Sequence, residues 1–154
     1  MALAKSDVDD VLNIVNILRE GWDTDNVAKP MIHDVTLVSQ PTKRDLRQND
    51  KIFVYEASYA ENIRDIGYNN IGWVKRISID IRTALAPPRI YDLWKEVRRC
   101  LWNKRKTPTD DDSANFPFCT IEGLTRNNLS DGSKGYYRIV YDVELKKMTE
   151  AVST

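Results

Sequence analysis

Two segments of the chain alternate strictly between apolar and polar side chains, WVKRISIDIRT at Trp73–Thr83 and GYYRIVYDVEL at Gly135–Leu145. Successive side chains of a β-strand point to opposite faces, so each segment is predicted to be a strand with one apolar and one ionic face. The apolar faces carry Ile77, Ile79 and Ile81 in the first segment, and Tyr137, Ile139, Tyr141, Val143 and Leu145 in the second. The polar faces carry Arg76, Ser78, Asp80 and Arg82 in the first, and Arg138, Asp142 and Glu144 in the second.

An ionic strand face restricts what can lie against it. Such strands suit a sheet with helices on one side and water, a lumen or a neighbouring subunit on the other. We therefore expect half-solvated strands, which are typical of an assembly module rather than of an enzyme.

The length and composition favour one globular domain. A chain of 154 residues can bury a core but has no length for a second domain. We assign one domain to residues 1–154, with a loose C-terminal segment from about Lys147. No apolar run approaches the ~20 residues of a membrane span, and the first residues, MALAKSDVDD, lack the features of a secretory signal. We therefore expect a protein that does not enter a membrane and is made in the cytoplasm.

The charge balance limits the classes of ligand. Twenty-three basic and twenty-three acidic side chains cancel, which argues against a general nucleic-acid binder that neutralises many phosphates. Cys100 and Cys119 are far apart in sequence, and His33 is near neither. The sequence therefore predicts no zinc site, and buried cysteines behave as small apolar residues.

Periodicity along the chain predicts an α+β fold, with a mixed, largely antiparallel β-sheet packed against two α-helices in the order α-β-β-β-α-β-β. The polar run Ser39–Asp50 is interpreted as a connector, and Ser58–Gly72 as a long exposed loop within a hairpin. The predicted helices are Asp7–Gly21 and Pro88–Lys104, and the predicted strands are Met31–Val38, Lys51–Ala57, Trp73–Thr83, Phe118–Arg126 and Tyr136–Lys146.

Known catalytic and phosphate-binding motifs are missing from the sequence, including GxSxG, GxxxxGK[ST], GxGxxG and HExxH. Asp50 and Glu56 could in principle form a metal-dependent nuclease centre, although the Glu-x-Lys spacing that supports one is absent. Asp110–Asp112 is interpreted as part of a flexible acidic linker, Thr107–Asn115. We predict no catalytic residue, cofactor site or metal site.

A basic run on the second helix is the best candidate for nucleic-acid contact. Trp94 lies within this run, but it belongs to the apolar stripe of the helix and is interpreted as a core residue. The alternative function is a DNA-binding accessory protein that uses the surface Lys95–Lys106. The run consists of Lys95, Arg98, Arg99, Lys104, Arg105 and Lys106.

One succession of segments resembles the tail-terminator and tail-completion (neck) proteins of tailed viruses. It spans about Val8–Leu145 and is best marked by SIDIRT before a helix and by the closing YYR…DVEL strand. Its members are Trp22, KPMI at Lys29–Ile32, DKIFVYE at Asp50–Glu56, SIDIRT at Ser78–Thr83, LWKEVRR at Leu93–Arg99, and GYYR…DVEL at Gly135–Leu145.

The resemblance implies a non-enzymatic virion protein that forms a homo-oligomeric ring, expected to be hexameric. The ring would end polymerisation of the tail tube and join the tail to the head, so that its partners are the tail tube protein and the head-tail connector or neck protein. Genomic DNA would pass through only transiently. By this analogy, Ser58–Gly72 and Thr107–Asn115 are contact arms.

The resemblance also implies a set of subunit-interface or partner-interface residues. Charges on the polar strand faces would lie at the interface or in the lumen, where complementary charge fixes register and partner. Pairing of the same charges across adjacent strands is the alternative. The interface set is Tyr59, Arg64, Tyr68, Arg76, Asp80, Arg82, Arg138, Asp142 and Glu144.

Overall fold

The computed structural model describes residues 10–34, 43–63, 70–104 and 120–151. None of the helices in these ranges is long and apolar enough to cross a bilayer. The helices are α1 (Asp10–Gly21), α2 (Lys43–Gln48) and α3 (Pro87–Lys104), and the strands are β1 (Met31–Asp34), β2 (Lys51–Ile63), β3 (Asn70–Thr83), β4 (Thr120–Asn128) and β5 (Tyr137–Ala151).

The five strands form one mixed sheet in the order β1-β2-β3-β5-β4. β1 and β2 are parallel, and every other neighbouring pair is antiparallel. The two alternating segments, β3 and β5, lie side by side at the centre. The predicted fold class is therefore confirmed, with one addition: the connector Ser39–Asp50 contains the short helix α2.

The helix side of the sheet holds the main core. α1 and α3 contact each other and both pack against the sheet. Ile77, Ile79 and Ile81 are fully buried there, as the alternation of β3 predicts. The register places Ile79 beside Val54 of β2, and Ile81 between Ile52 of β2 and Ile139 of β5. Removal of this continuous apolar surface from water is the main term that stabilises the fold.

The opposite side of the sheet, called here the outer side, is less open than the sequence predicts. Ser78 and Asp80 are 5% and 2% exposed, although their face is polar. Phe53 pairs with Asp80 and shares the outer side, and Leu46 of α2 is fully buried outside the main core cluster. The expectation of half-solvated strands is therefore wrong at this end of β3, because further apolar and charged side chains cover the polar face.

The β2–β3 hairpin is mainly strand. β2 continues to Ile63 and β3 begins at Asn70, so the predicted loop Ser58–Gly72 is wrong outside residues 64–69, which are not among the described residues. A register shift between Glu56 and Ser58 marks a bulge in the hairpin.

The C-terminal strand is also longer than the sequence predicts. β5 runs to Ala151, where it pairs with Asn70, so five residues of the segment expected to be loose belong to the sheet. The remaining described boundaries agree to within a few residues. Residues 7–9 of the predicted first helix, 35–38 of the first strand and 118–119 of the fourth strand lie outside the described residues.

The β4–β5 connection contains a tight turn. Asp131 accepts a hydrogen bond from the Ser133 backbone N–H (3.2 Å) and begins a single 3-10 turn. Gly135 ends that turn at φ 61°, ψ 37°, a left-handed conformation in which any Cβ would be strained. The turn returns the chain directly into β5.

Candidate subunit and partner interface

The predicted interface residues divide into a buried and an exposed group. At the buried end, Asp80 accepts hydrogen bonds from Arg82 (2.7 Å) and Arg138 (2.9 Å). The side chains of Asp80 and Arg82 are 3% and 7% exposed, and that of Arg138 is 29% exposed. The predicted pairing of charges across adjacent strands is therefore confirmed here, and Asp80 presents almost no surface to a partner.

Contacts in this buried ion cluster change the pKa values of neighbouring groups. The hydrogen bond to Asp80 raises the pKa of Arg138 above its ordinary value. Burial raises the pKa of the neighbouring Tyr136, while Arg82 and Arg138 oppose the change. The guanidinium of Arg82 also lies 5.3 Å from the centre of the Phe53 ring. The cluster is held by ion pairs and a cation–π contact within one chain.

A second polar group lies between β3, β4 and β5. Asp142 accepts hydrogen bonds from Ser78 (2.6 Å) and Thr125 (3.1 Å). Its carboxylate is therefore engaged on both oxygens and ties three neighbouring strands together. Asp142 is half-buried, so it contributes less surface than the sequence suggests.

The exposed group lies towards the far end of the β2–β3 hairpin. The Arg76 side chain is 58% exposed and lies 3.9 Å from Glu144, a weak contact. Glu144, also in this region, has a side chain only 12% exposed and is nearer to Lys146, at 3.1 Å. Tyr59 is 38% exposed and pairs with Lys75, whose ammonium lies 5.4 Å from its ring centre. Tyr59 therefore lies on the helix side of the sheet, opposite to Arg76. Arg64 and Tyr68 of the predicted set lie outside the described residues.

Residues Glu56 to Ala60 are exposed without interruption, so both faces of this stretch of β2 are uncovered by the described residues. We call the outer part of the sheet, Ser58–Ile63 with Asn70–Arg76 and Leu145–Ala151, the β arm. The six residues of its β2 segment extend about 20 Å at strand spacing. Tyr59 and Arg76 are the accessible predicted interface residues on the β arm.

A buried ion pair anchors the base of the β arm to the helices. Lys75 is 5% exposed and its Nζ lies 2.5 Å from Oδ2 of Asp10, the first residue of α1. A carboxylate at the start of a helix also interacts favourably with the helix dipole. The orientation of the arm relative to α1 is therefore constrained by a charge contact.

The proposed nuclease pair is not a metal site. The Asp50 carboxylate accepts hydrogen bonds from Thr83 (2.5 Å) and from Arg89 (2.7 Å), so its oxygens are engaged. Glu56 lies six residues further along β2, about 20 Å away at strand spacing, whereas paired metals lie about 4 Å apart. The part of the chain that the structure describes contains no group of three or more acidic, histidine or cysteine side chains suited to a metal.

Part of the basic run on α3 is committed to the fold. Arg99 pairs with Glu96 and donates to the Gly21 carbonyl (2.6 Å), which satisfies the end of α1. Glu96, 4% exposed, also accepts a hydrogen bond from the Asp23 backbone N–H (3.0 Å). Lys95 and Arg98 are exposed, while Arg105, Lys106 and Asp110–Asp112 lie outside the described residues.

A row of alternating aromatic and arginine side chains follows one face of α3. The Arg126 guanidinium of β4 lies 4.3 Å from the Trp94 ring centre and 5.6 Å from that of Tyr91. Arg98 lies 5.7 Å from Trp94 and 6.0 Å from Trp102. We call Tyr91, Trp94, Arg98, Trp102 and Arg126 the arginine–aromatic row.

Sequence reasoning missed Arg126 because it joins the row from a different element. The spacing of Tyr91, Trp94, Arg98 and Trp102 places them on one helical face and was the available signal. The prediction that Trp94 belongs to the core is confirmed in part: it is half-buried and packs against the edge of the core cluster.

The chain shares its fold with a protein of a virus-like particle. No protein-family model matches the sequence, and no curated protein sequence matches it. Among solved structures, it is similar to a chain of the virion of a native gene transfer agent (GTA) particle, with a TM-score of 0.56 and 12% sequence identity. The match covers 94% of this chain and 98% of that one. At this identity the likeness establishes a common fold.

Proposed function

We propose that this protein is a structural component of a tailed-virus-like particle. It forms a ring at the head-proximal end of the tail, ends polymerisation of the tail tube and joins the tail to the head. The observation that carries the proposal is the likeness to a chain of a gene transfer agent virion over nearly the full length of both chains. The resemblance of the sequence to tail-terminator and tail-completion proteins supports the specific role.

The mechanism is geometric and makes or breaks no covalent bond. Identical subunits joined head to tail form a closed ring when the rotation between neighbours closes, and an open filament when it does not. A ring with one face complementary to the last ring of the tube, and an unlike opposite face, stops further addition. It offers the unlike face to the head-tail connector or neck protein.

The β arm is the proposed contact between neighbouring subunits. The stretch of β2 from Glu56 to Ala60 is uncovered on both faces by the described residues. The β arm carries Tyr59 and Arg76 at accessible positions on opposite faces. Aromatic and arginine side chains are the types most enriched at the centres of protein interfaces. The buried Asp80–Arg82–Arg138 cluster instead supports the contact from within by holding β3 and β5 together.

Assembly in solution tests the ring. We expect light scattering and negative-stain electron microscopy of the purified protein, alone and with tail tube protein, to reveal rings. Tyr59→Ala combined with Arg76→Glu should abolish them without changing the circular dichroism spectrum. Arg47→Glu, an exposed charge reversal on α2, is the matched control and should leave rings intact. Monomers under both conditions, or rings unaffected by the double change, would contradict the proposal.

Deletion of the gene tests the place of the protein in the particle. Overlong tails are expected if the ring ends tube polymerisation, because growth would continue without it. Full heads without attached tails would instead identify a joining role alone. Particles with normal tails and normal attachment would rule out both.

A further inference from the structure

A groove between α3 and the β4 edge of the sheet is a second candidate contact surface, distinct from the Tyr59 and Arg76 positions of the β arm. Its volume is about 300 Å³. Its walls are mainly apolar or aromatic, and Glu122 lies at the rim with its side chain 56% exposed. The lining residues used below are Leu101, Trp102, Ile121, Gly123, Tyr141 and Val143.

The groove depends on a glycine. A Cβ at Gly123 would lie 2.1 Å from the Tyr141 hydroxyl oxygen and 3.0 Å from the ring carbon that carries it. The Tyr141 ring can therefore lie against the β4 backbone only because position 123 has no side chain. Tyr141 also packs edge-on against Trp94, with ring centres 5.9 Å apart, which fixes one wall of the groove.

The arginine–aromatic row borders the groove and gives it an elongated shape. From Tyr91 to Trp102 the row follows α3 for about 16 Å at helical rise. Trp102 is 53% exposed and lines both this groove and an adjoining hollow of about 230 Å³ beside Lys95, Arg98 and Arg99. A ligand that uses the whole surface must therefore be extended.

The surface is positively charged where it meets solvent. Lys95, Arg98 and Arg126 have no carboxylate within ion-pair distance among the residues that the structure describes. Glu122 at the rim lies 3.9 Å from Lys146, which offsets its charge. Three cations beside an apolar groove are complementary to carboxylates that flank a large apolar side chain.

We infer that this surface binds an extended acidic segment of a partner protein, with a large apolar side chain in the α3–β4 groove and carboxylates on Lys95, Arg98 and Arg126. The geometry favours a peptide over a single-stranded nucleic acid. Bases bind by stacking on aromatic rings. Here the guanidiniums of Arg98 and Arg126 already lie over the rings of Trp94, Trp102 and Tyr91. This inference does not depend on ring formation.

Fluorescence anisotropy with a labelled synthetic peptide tests the inference. The probe is a twelve-residue peptide of alternating Glu and Asp with two central Phe residues. We expect saturable binding that weakens as salt is raised, because exposed charge contacts are screened. A peptide with Lys in place of every acidic residue, and an oligothymidine of twenty nucleotides, should bind at least ten-fold more weakly.

Matched variants locate the binding to the groove. Arg98→Glu and Trp102→Ala should each weaken binding of the acidic peptide about ten-fold or more, since both side chains are exposed and act on the ligand rather than on the core. Arg47→Glu makes the same change in charge on α2 and should leave binding within two-fold. Absence of binding, equal binding by the variants, or tighter binding of oligothymidine would each overturn the inference.

Discussion

Ile79 and Asp80 are neighbours in β3, point to opposite sides of the sheet, and are equally hidden from solvent. Ile79 is 0% exposed in the core between the sheet and the two longer helices. Asp80 is 2% exposed on the outer side, where two guanidiniums neutralise it. Strand alternation therefore indicates whether each face is apolar or polar. Whether a face is buried depends on which other segments of the chain pack against it.

The two residues are buried for opposite energetic reasons. Moving an isoleucine side chain out of water lowers the free energy, by about 2 kcal/mol for a side chain of this size. Burying an aspartate costs solvation free energy, and only close ion pairs of good geometry offset that cost. The helix side therefore drives folding, while the outer side must be fully paired in order to be tolerated.

The largest effect is expected from removing the charge at the centre of the outer side. Asp80→Ala removes the carboxylate that pairs with the buried Arg82, and should lower the free energy of unfolding by about 3–5 kcal/mol. Urea denaturation followed by tryptophan fluorescence measures it. A loss below about 1 kcal/mol would show that the outer side is solvated, and would remove the contrast with Ile79.

On the helix side, burial should suppress the reactivity of a thiol. Burial, with a smaller contribution from Glu96, raises the pKa of Cys100 to about 11 from an ordinary 9.0. This difference leaves about 100-fold less thiolate at pH 8, and the rate of reaction with iodoacetamide should fall accordingly.

The thiol reaction is best measured in a Cys119→Ser background, so that one cysteine is observed. The native rate should rise about ten-fold per pH unit between pH 8 and 10, since the thiolate fraction does. The protein unfolded in urea serves as the control and should react at the rate of a free thiol. Equal rates in the native and unfolded proteins would show that the α3 face is open.

A conservative core change should have a moderate effect. Ile79→Val removes one methylene from a fully buried position and should lower the free energy of unfolding by about 1 kcal/mol. Leu129→Ala, at a position 50% exposed, is the control and should change it by less. Similar losses at the two positions would mean that packing at the core is loose.

The smallest effect on stability is expected on the β arm. Arg76→Ala removes an exposed side chain with one weak contact to Glu144, and should change the free energy of unfolding by less than about 0.5 kcal/mol. The same denaturation experiment measures it beside Asp80→Ala. A large loss at Arg76 would contradict the division of the outer side into a buried and an exposed end.

The sequence predicted the parts of the fold that depend on local periodicity. Within the described residues, the bounds of α1 and α3 and the alternation of β3 and β5 agree with the structure. The helix α2 was missed because six residues supply too few turns for a periodic signal. The segment Ser58–Gly72 indicates a loop from sequence because it contains two glycines and three asparagines and has no alternating pattern.

The candidate interface was predictable only by face. Period-two spacing correctly placed Arg76, Asp80 and Arg82 on one side of β3, since that spacing is a property of the extended backbone. Arg76 is accessible and Asp80 is not. This difference could be seen only from the positions of the neighbouring strands and α2 in the structure. The arginine–aromatic row could not be predicted in full, because Arg126 reaches it through contacts between α3 and β4, which are distant in sequence.

The amino-acid sequence by itself determined an α+β chain with two amphipathic helices and two central strands of opposite-faced chemistry, because backbone geometry imposes fixed side-chain periods. The tertiary structure alone decided which polar side chains became buried ion pairs, which remained accessible on the β arm, and where a glycine opened a groove beside α3. These outcomes depend on contacts between segments that are distant in sequence. Such contacts set the free energy of burying a charged or apolar side chain.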